Sequence, residues 1–169
     1  IFGPDRNLGG YINSITGRNM LLWDGACHVH EKFSVEKILE LKKQYPDAKV
    51  LVHPECKGTV VQLADKVGST AALLKYSISD SSDTFIVATE SGILHEMQKA
   101  CPEKTSTPAP PSDSTCACNE CSYMKLVTMQ KLYDCLKNEA PEIHVDAQVA
   151  EKAIVSINRM LEISEKLGL

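Results

Sequence analysis

The chain has 169 residues, a formal net charge of −4 and 43% hydrophobic residues, which is enough for one ordinary domain or two small ones with a real core. Acids and bases are interspersed with no basic stripe, which argues against nucleic acid as a partner, and no apolar run approaches the roughly 20 residues that cross a bilayer. No charged, apolar, small-residue signal opens the chain, so a cytoplasmic protein is expected.

The opening "IFGPDRNLGG" lacks a methionine and starts directly in an apolar-turn pattern, as a piece of a longer chain would. "NMLLWD", Asn19 to Asp24, is a short apolar run bounded by Gly17 and Gly25 and predicts a buried strand. "SVEKILELKKQY" predicts a helix with Ser34 as N-cap, apolar spacing at Val35, Ile38, Leu39 and Leu41, and Pro46 closing it. "AKVLVHPE" predicts a second strand ending at Pro54, "TVVQLADKVG" a helix stopped by Gly68, and "TAALLKYSIS" a further short helix or connection. "TFIVAT" is the third strand and "SGILHEMQKAC" its helix. Alternation of this kind predicts an α/β fold with a parallel sheet covered by helices on both faces. From Pro102 to Ser114, "PEKTSTPAPPSDS" reads as an extended, exposed connection. After it come an amphipathic helix in "YMKLVTMQKLYDCLKN", a small strand "IHVD" and a final helix in "AQVAEKAIVSINRMLEISEKLG". Three regions are therefore expected: α/β/α structure over 1–101, a proline-rich connection over 102–115, and a cysteine cluster with a helical segment over 116–169.

In open α/β sheets, ligands gather where strands end and loops begin. The loops "DGACHVHEKF" and "HPECKGT" would bring Cys27, His28, His30, His53, Glu55 and Cys56 to one edge. The third strand end adds Thr89 and Glu90, and "GST" adds Ser69 and Thr70, whose hydroxyls and N–H groups suit a carboxylate or phosphate. Plainer roles compete with these. Loop histidines such as His28, His95 and His144 are usually surface groups, Cys56, Cys101 and Cys135 read as small buried hydrophobes, and Ser69 or Thr70 could simply cap a helix.

Seven cysteines is an odd number, so complete internal pairing is impossible and metal or redox chemistry gains weight. Three of them crowd "CACNEC", Cys116 to Cys121. Zinc needs four ligands, typically as two separated pairs, and no second pair is present. A redox disulfide or an iron–sulfur cluster both suit the spacing, which does not choose between them.

Taken together, "PDRNLG", "WDGACHVHEKF", "LVHPEC", "ADKVGST", "VATESG", "CACNECSYMK" and "VDAQVAEKAIVSINRML" resemble the quinolinate synthases, iron–sulfur enzymes of NAD biosynthesis, in the family's order and over essentially the whole chain. The resemblance implies three-layer α/β/α domains with parallel sheets, two of the family's three pseudo-threefold-related domains. It implies condensation of iminoaspartate with dihydroxyacetone phosphate to quinolinate, with loss of phosphate and water. The cofactor implied is a 4Fe-4S cluster held by three cysteines, one iron being left open as a Lewis acid. Carried over residue by residue, cluster ligands fall on Cys27 and Cys121, catalytic roles on His30, His53 and Glu55, and substrate binding on these three with Ser69 and Thr70. Cys116 and Cys118 are left as extra thiols, and the CxCxxC spacing departs from the CxxCxxC of some relatives. L-aspartate oxidase is implied as a supplier of iminoaspartate. The third ligand and the rest of the pocket belong to a region preceding Ile1, so a carboxyl-terminal portion is expected, incomplete for catalysis by itself. A cysteine-based redox or metal-binding module without substrate chemistry is the rival reading, and an α/β hydrolase or transferase with His53 and Glu55 as acid-base pair is a second.

Overall fold

A computed structural model describes residues 1–113 and 119–168. Cys116 and Cys118 lie outside the described residues. Two compact units are present, residues 1–125 and 126–169.

The first unit is built on the alternating sequence pattern. Strands β1 (Lys49–Val52), β2 (Lys66–Val67), β3 (Thr84–Ala88) and β4 (Thr105–Pro108) form one parallel sheet in the order β2-β1-β3-β4. Side chains alternate across a strand, and here both faces are buried. Val50, Val52, Ile86 and Ala88 point into one apolar cluster with Ile38 of α2 (Val35–Gln44) and Val60 of α3 (Gly58–Val61). Leu51, Phe85 and Val87 point into the other, against Leu73 of α4 (Thr70–Ser79) and Ile93 and Met97 of α5 (Gly92–Ala100). The result is the three-layer α/β/α arrangement expected, with one such sheet among the described residues.

Helix α1 (Arg6–Thr16) was not signalled by the sequence reading. Asp5 caps it by accepting from the Leu8 N–H, and Gly17 ends it at φ +68°, a left-handed position that suits glycine. Gly9 is where α1 meets its neighbours, since a Cβ there would lie 2.5 Å from Leu22 Cδ2 and 2.8 Å from Phe2 Cδ1.

Four local expectations are corrected. "NMLLWD" is not a buried strand: only Leu22 bridges to Phe2, while Leu21 and Trp23 are 70% and 67% exposed. "TVVQLADKVG" is a helix for one turn only. Asp65 accepts from the Val50 N–H and from Lys49 Nζ, and that anchor swings the chain back so that Lys66–Val67 pair with β1. The proline-rich stretch supplies β4, an edge strand in which threonines fit the pleat and Pro108, lacking an N–H, sits at the strand end. "IHVD" forms no ladder; its Asp146 caps the helix that follows.

The second unit comprises α6 (Met129–Asn138), capped by Thr128, and α7 (Ala147–Leu167). Cys135 is exposed on α6 rather than buried as a small hydrophobe. No helix among the described residues is long and apolar enough to cross a membrane.

Candidate functional site

The site lies at the carboxyl edge of the sheet. β1 runs straight into His53-Pro54-Glu55, β3 into Thr89-Glu90, and β2 into Gly68-Ser69-Thr70 at the start of α4. The hydrogen bond from His53 N to Ala88 O (3.1 Å) carries the β1–β3 pairing one residue past the strands, so His53 inherits the sheet's rigidity. His30 arrives from the loop before α2, in a 3-10 turn (His30–Lys32).

His30 and His53 stack with centroids 4.6 Å apart and rings 20° from parallel. His30 Nε2 lies 3.0 Å from Thr89 Oγ1. Its Nδ1 lies 3.1 Å from Glu55 Oε2, but the alignment makes no hydrogen bond, so this buried nitrogen has no partner. His53 Nδ1 accepts from the Glu55 N–H at 3.3 Å, so a neutral His53 carries its proton on Nε2. Cys27 Sγ, a His30 ring nitrogen and a Glu55 carboxylate oxygen all lie within 4.8 Å of one another.

Burial governs the protonation states. It lowers His30 to about 4, with His53 adding repulsion, and lowers His53 as well; both are neutral imidazoles near pH 7. Burial also raises the Glu55 carboxyl, helped by the nearby charge of Asp5. Two neutral imidazoles beside a carboxylate of raised basicity form a set in which the carboxylate can take up and return a proton while the rings serve as hydrogen-bond partners.

A cavity of about 580 Å³ opens over this set, and Thr70, Glu90, Glu96 and Met124 also line it. Thr70 is the first residue of α4, whose N-terminal N–H groups and partial positive charge favour an anion. Ser69 does not line that cavity; its Oγ accepts from the Ala72 N–H as the α4 cap. Cys27 and Cys121 are free, half-buried thiols that pack against the same apolar cluster. Asn119 fixes the approach to Cys121: its side-chain Nδ2 donates to Ala109 O at 2.8 Å, and its backbone carbonyl accepts from the Ser91 N–H at 3.1 Å. His28 packs edge-on against Tyr123, 5.3 Å away. Cys56 is buried under the loop and donates to Ala88 O; burial pushes its thiol up, far from a thiolate.

Sequence reasoning did not single out Asp5, Glu96 or Met124. Glu96 lies on an exposed helical stretch, and Met124 belongs to an amphipathic pattern that reads as a packing position, so neither signals a site. For Asp5, the N-cap position before "RNLGG" was a usable one.

A family model described as "Quinolinate synthetase A protein" matches residues 1–162. The chain is similar to proteins named quinolinate synthase from Microcystis aeruginosa (54% identical over 97% of this chain), Chloroherpeton thalassium (53% over 98%) and Thermosynechococcus vestitus (54% over 97%). In each case the match covers 51% of the relative, so the chain spans about half the length of these proteins.

Proposed function

This chain belongs to the quinolinate synthetase A protein family, and on that premise we propose that it supplies part of the active site of a quinolinate synthase. The reaction is condensation of iminoaspartate with dihydroxyacetone phosphate, giving quinolinate, phosphate and two waters. L-aspartate oxidase is the proposed supplier of iminoaspartate, and the cytoplasm the proposed site of action.

The observation that carries this reading is the stacked His30–His53 pair set against Glu55, beside Cys27 and under one cavity. The donor set also fits a 4Fe-4S cluster. Cys27 and Cys121 offer soft thiolates at the edge of the same core, and the unpartnered His30 Nδ1 marks a buried polar place. Cys27 and Cys121 would hold the cluster together with a cysteine from outside this chain. When bound, the cluster supplies an open iron that acts as a Lewis acid toward substrate oxygen.

The chain's own residues do the rest. Glu55, its basicity raised by burial, removes protons in the tautomerisation and dehydration steps. His53 carries its proton on Nε2, the nitrogen not engaged by the Glu55 amide, and hydrogen-bonds a departing hydroxyl, while the proton that the hydroxyl takes is the one Glu55 has removed and returns. His30, held by Thr89, keeps its ring parallel to His53 and donates or accepts at the same face. Thr70 binds a substrate carboxylate at the α4 N-terminus while Ser69 holds that helix start in place.

The test uses the complete protein, purified without oxygen, with iron, acid-labile sulfide and quinolinate formation measured. Cys27→Ala should abolish cluster content, and Glu55→Gln should keep the cluster while losing turnover. Full cluster content in Cys27→Ala, or full turnover in Glu55→Gln, would remove that residue from its role.

A further inference from the structure

Asp5 is only 3% exposed, and its two carboxylate oxygens serve different segments of the chain. Oδ1 accepts from the Leu8 N–H at 2.8 Å, capping α1, and Oδ2 accepts from the Cys27 N–H, also at 2.8 Å. Arg6 reinforces the same junction. Its N–H donates to Gly25 O at 2.8 Å, and its guanidinium donates to Asp24 at 2.8 Å and Glu31 at 3.2 Å.

We infer that Asp5 is a positioning residue for Cys27, its Oδ2 tying the cysteine's amide to the start of α1 and so fixing where the thiol is presented. The inference rests on the proposed role of Cys27 as a cluster ligand.

Capping alone does not call for this residue. One side-chain oxygen suffices for an N-cap, and serine or asparagine serves about as well as aspartate. A buried carboxylate, by contrast, is costly unless its oxygens are filled. The second oxygen is what distinguishes aspartate here, and the Cys27 amide is what fills it. Asparagine has a single acceptor oxygen for two N–H groups that Asp5 meets with two, and its NH₂ would face one of them, donor against donor.

Cys121 is held by a similar arrangement. Glu90 Oε2 accepts from the Gly92 N–H at the start of α5 at 2.7 Å, and Oε1 from the Cys121 N–H at 3.4 Å. Both cysteines are thus tied through a carboxylate to a helix start. Outer-shell partners of this kind fix the orientation of metal ligands, and their loss typically weakens metal binding by 10–100-fold.

Asp5→Ser separates the two functions, because a serine hydroxyl caps α1 but leaves the Cys27 amide without a partner. In the complete protein it should keep a cooperative melt, lowered by the unpaired Cys27 amide, and lose its cluster to a chelator roughly tenfold faster or more. In cluster-free protein it should also change the iodoacetamide alkylation rate of Cys27 severalfold, with Cys121 unchanged. Asp5→Asn should act in the same direction, and if it fails to fold, Asp5→Ser decides. Parent-like bleaching and parent-like Cys27 alkylation in Asp5→Ser overturn the inference. Cys27→Ala runs alongside: if it loses the cluster while Asp5→Ser keeps it, the positioning role fails and the ligand role stands. If Cys27→Ala keeps the cluster, the ligand role fails, and alkylation of the cluster-free chain alone decides whether Asp5 holds the thiol.

Discussion

Thr89 and His30 depend on each other. Both are buried, and Thr89 Oγ1 is the partner of His30 Nε2, while the ring's other nitrogen has none. Thr89→Val keeps the shape but orphans both imidazole nitrogens, and should destabilise the chain by about 1–3 kcal/mol in a denaturant melt. Thr89→Ser should restore most of that loss. Glu55 has a different dependence. Glu55→Gln preserves its size and its backbone bond to His53 but removes the base, and turnover in the complete protein should fall roughly 10²-fold or more at unchanged iron content. The strand-end residues were legible in sequence because a strand followed by a polar loop says which edge they occupy. The pairing of His30 with Thr89 was not, since 59 residues separate them and no local pattern records the contact.

At the scale of elements, Asp65 decides where α3 stops and where β2 begins. Burial opposes ionisation of its carboxyl, but the Val50 N–H and the Lys49 ammonium prevail and hold it below the usual aspartate range. A depressed folded value means that stability is present above the ordinary aspartate pKa and is lost as pH falls through the folded one. Asp65→Asn should cost roughly 0.5–1.5 kcal/mol at pH 7 through the weakened hydrogen bonds, and should flatten the acid limb of the stability-pH curve. Equal acid limbs in the two proteins would refute this anchor. The element boundaries missed in sequence share this physics. "TVVQLADKVG" has helical spacing, yet a tertiary hydrogen bond from Asp65 to the neighbouring strand overrides it after one turn. "TSTP" looks like linker by composition, but it pairs along β3 because the sheet offers an unfilled edge. "NMLLWD" is apolar, but its outward Leu21 and Trp23 show that hydrophobic content alone does not place a strand in a sheet. Helix α2 followed its expected Ser34 cap and periodicity, and α5 and α7 formed where helices were expected.

Over the whole molecule, the fully buried strands β1 and β3 contrast with α6 and α7, whose Leu132, Leu136, Ile154, Ile157 and Leu161 are all exposed. Hydrogen exchange of the 169-residue chain should therefore leave β1 and β3 protected longest, while α6 and α7 exchange early. Slow exchange in α7 matching that of β3 would contradict this. A chain ending at Lys125 should retain the sheet and its cooperative melt, since residues 1–125 form a compact unit of their own. The two hydrogen bonds of Asn119 have a consequence for chain length. Because they fasten the backbone beside Ala109 and Ser91, Cys121 takes its place from its own anchor rather than from the number of residues since the last strand. The thiol is thus placed by the carboxyl edge of the sheet itself, through the two residues that bond Asn119.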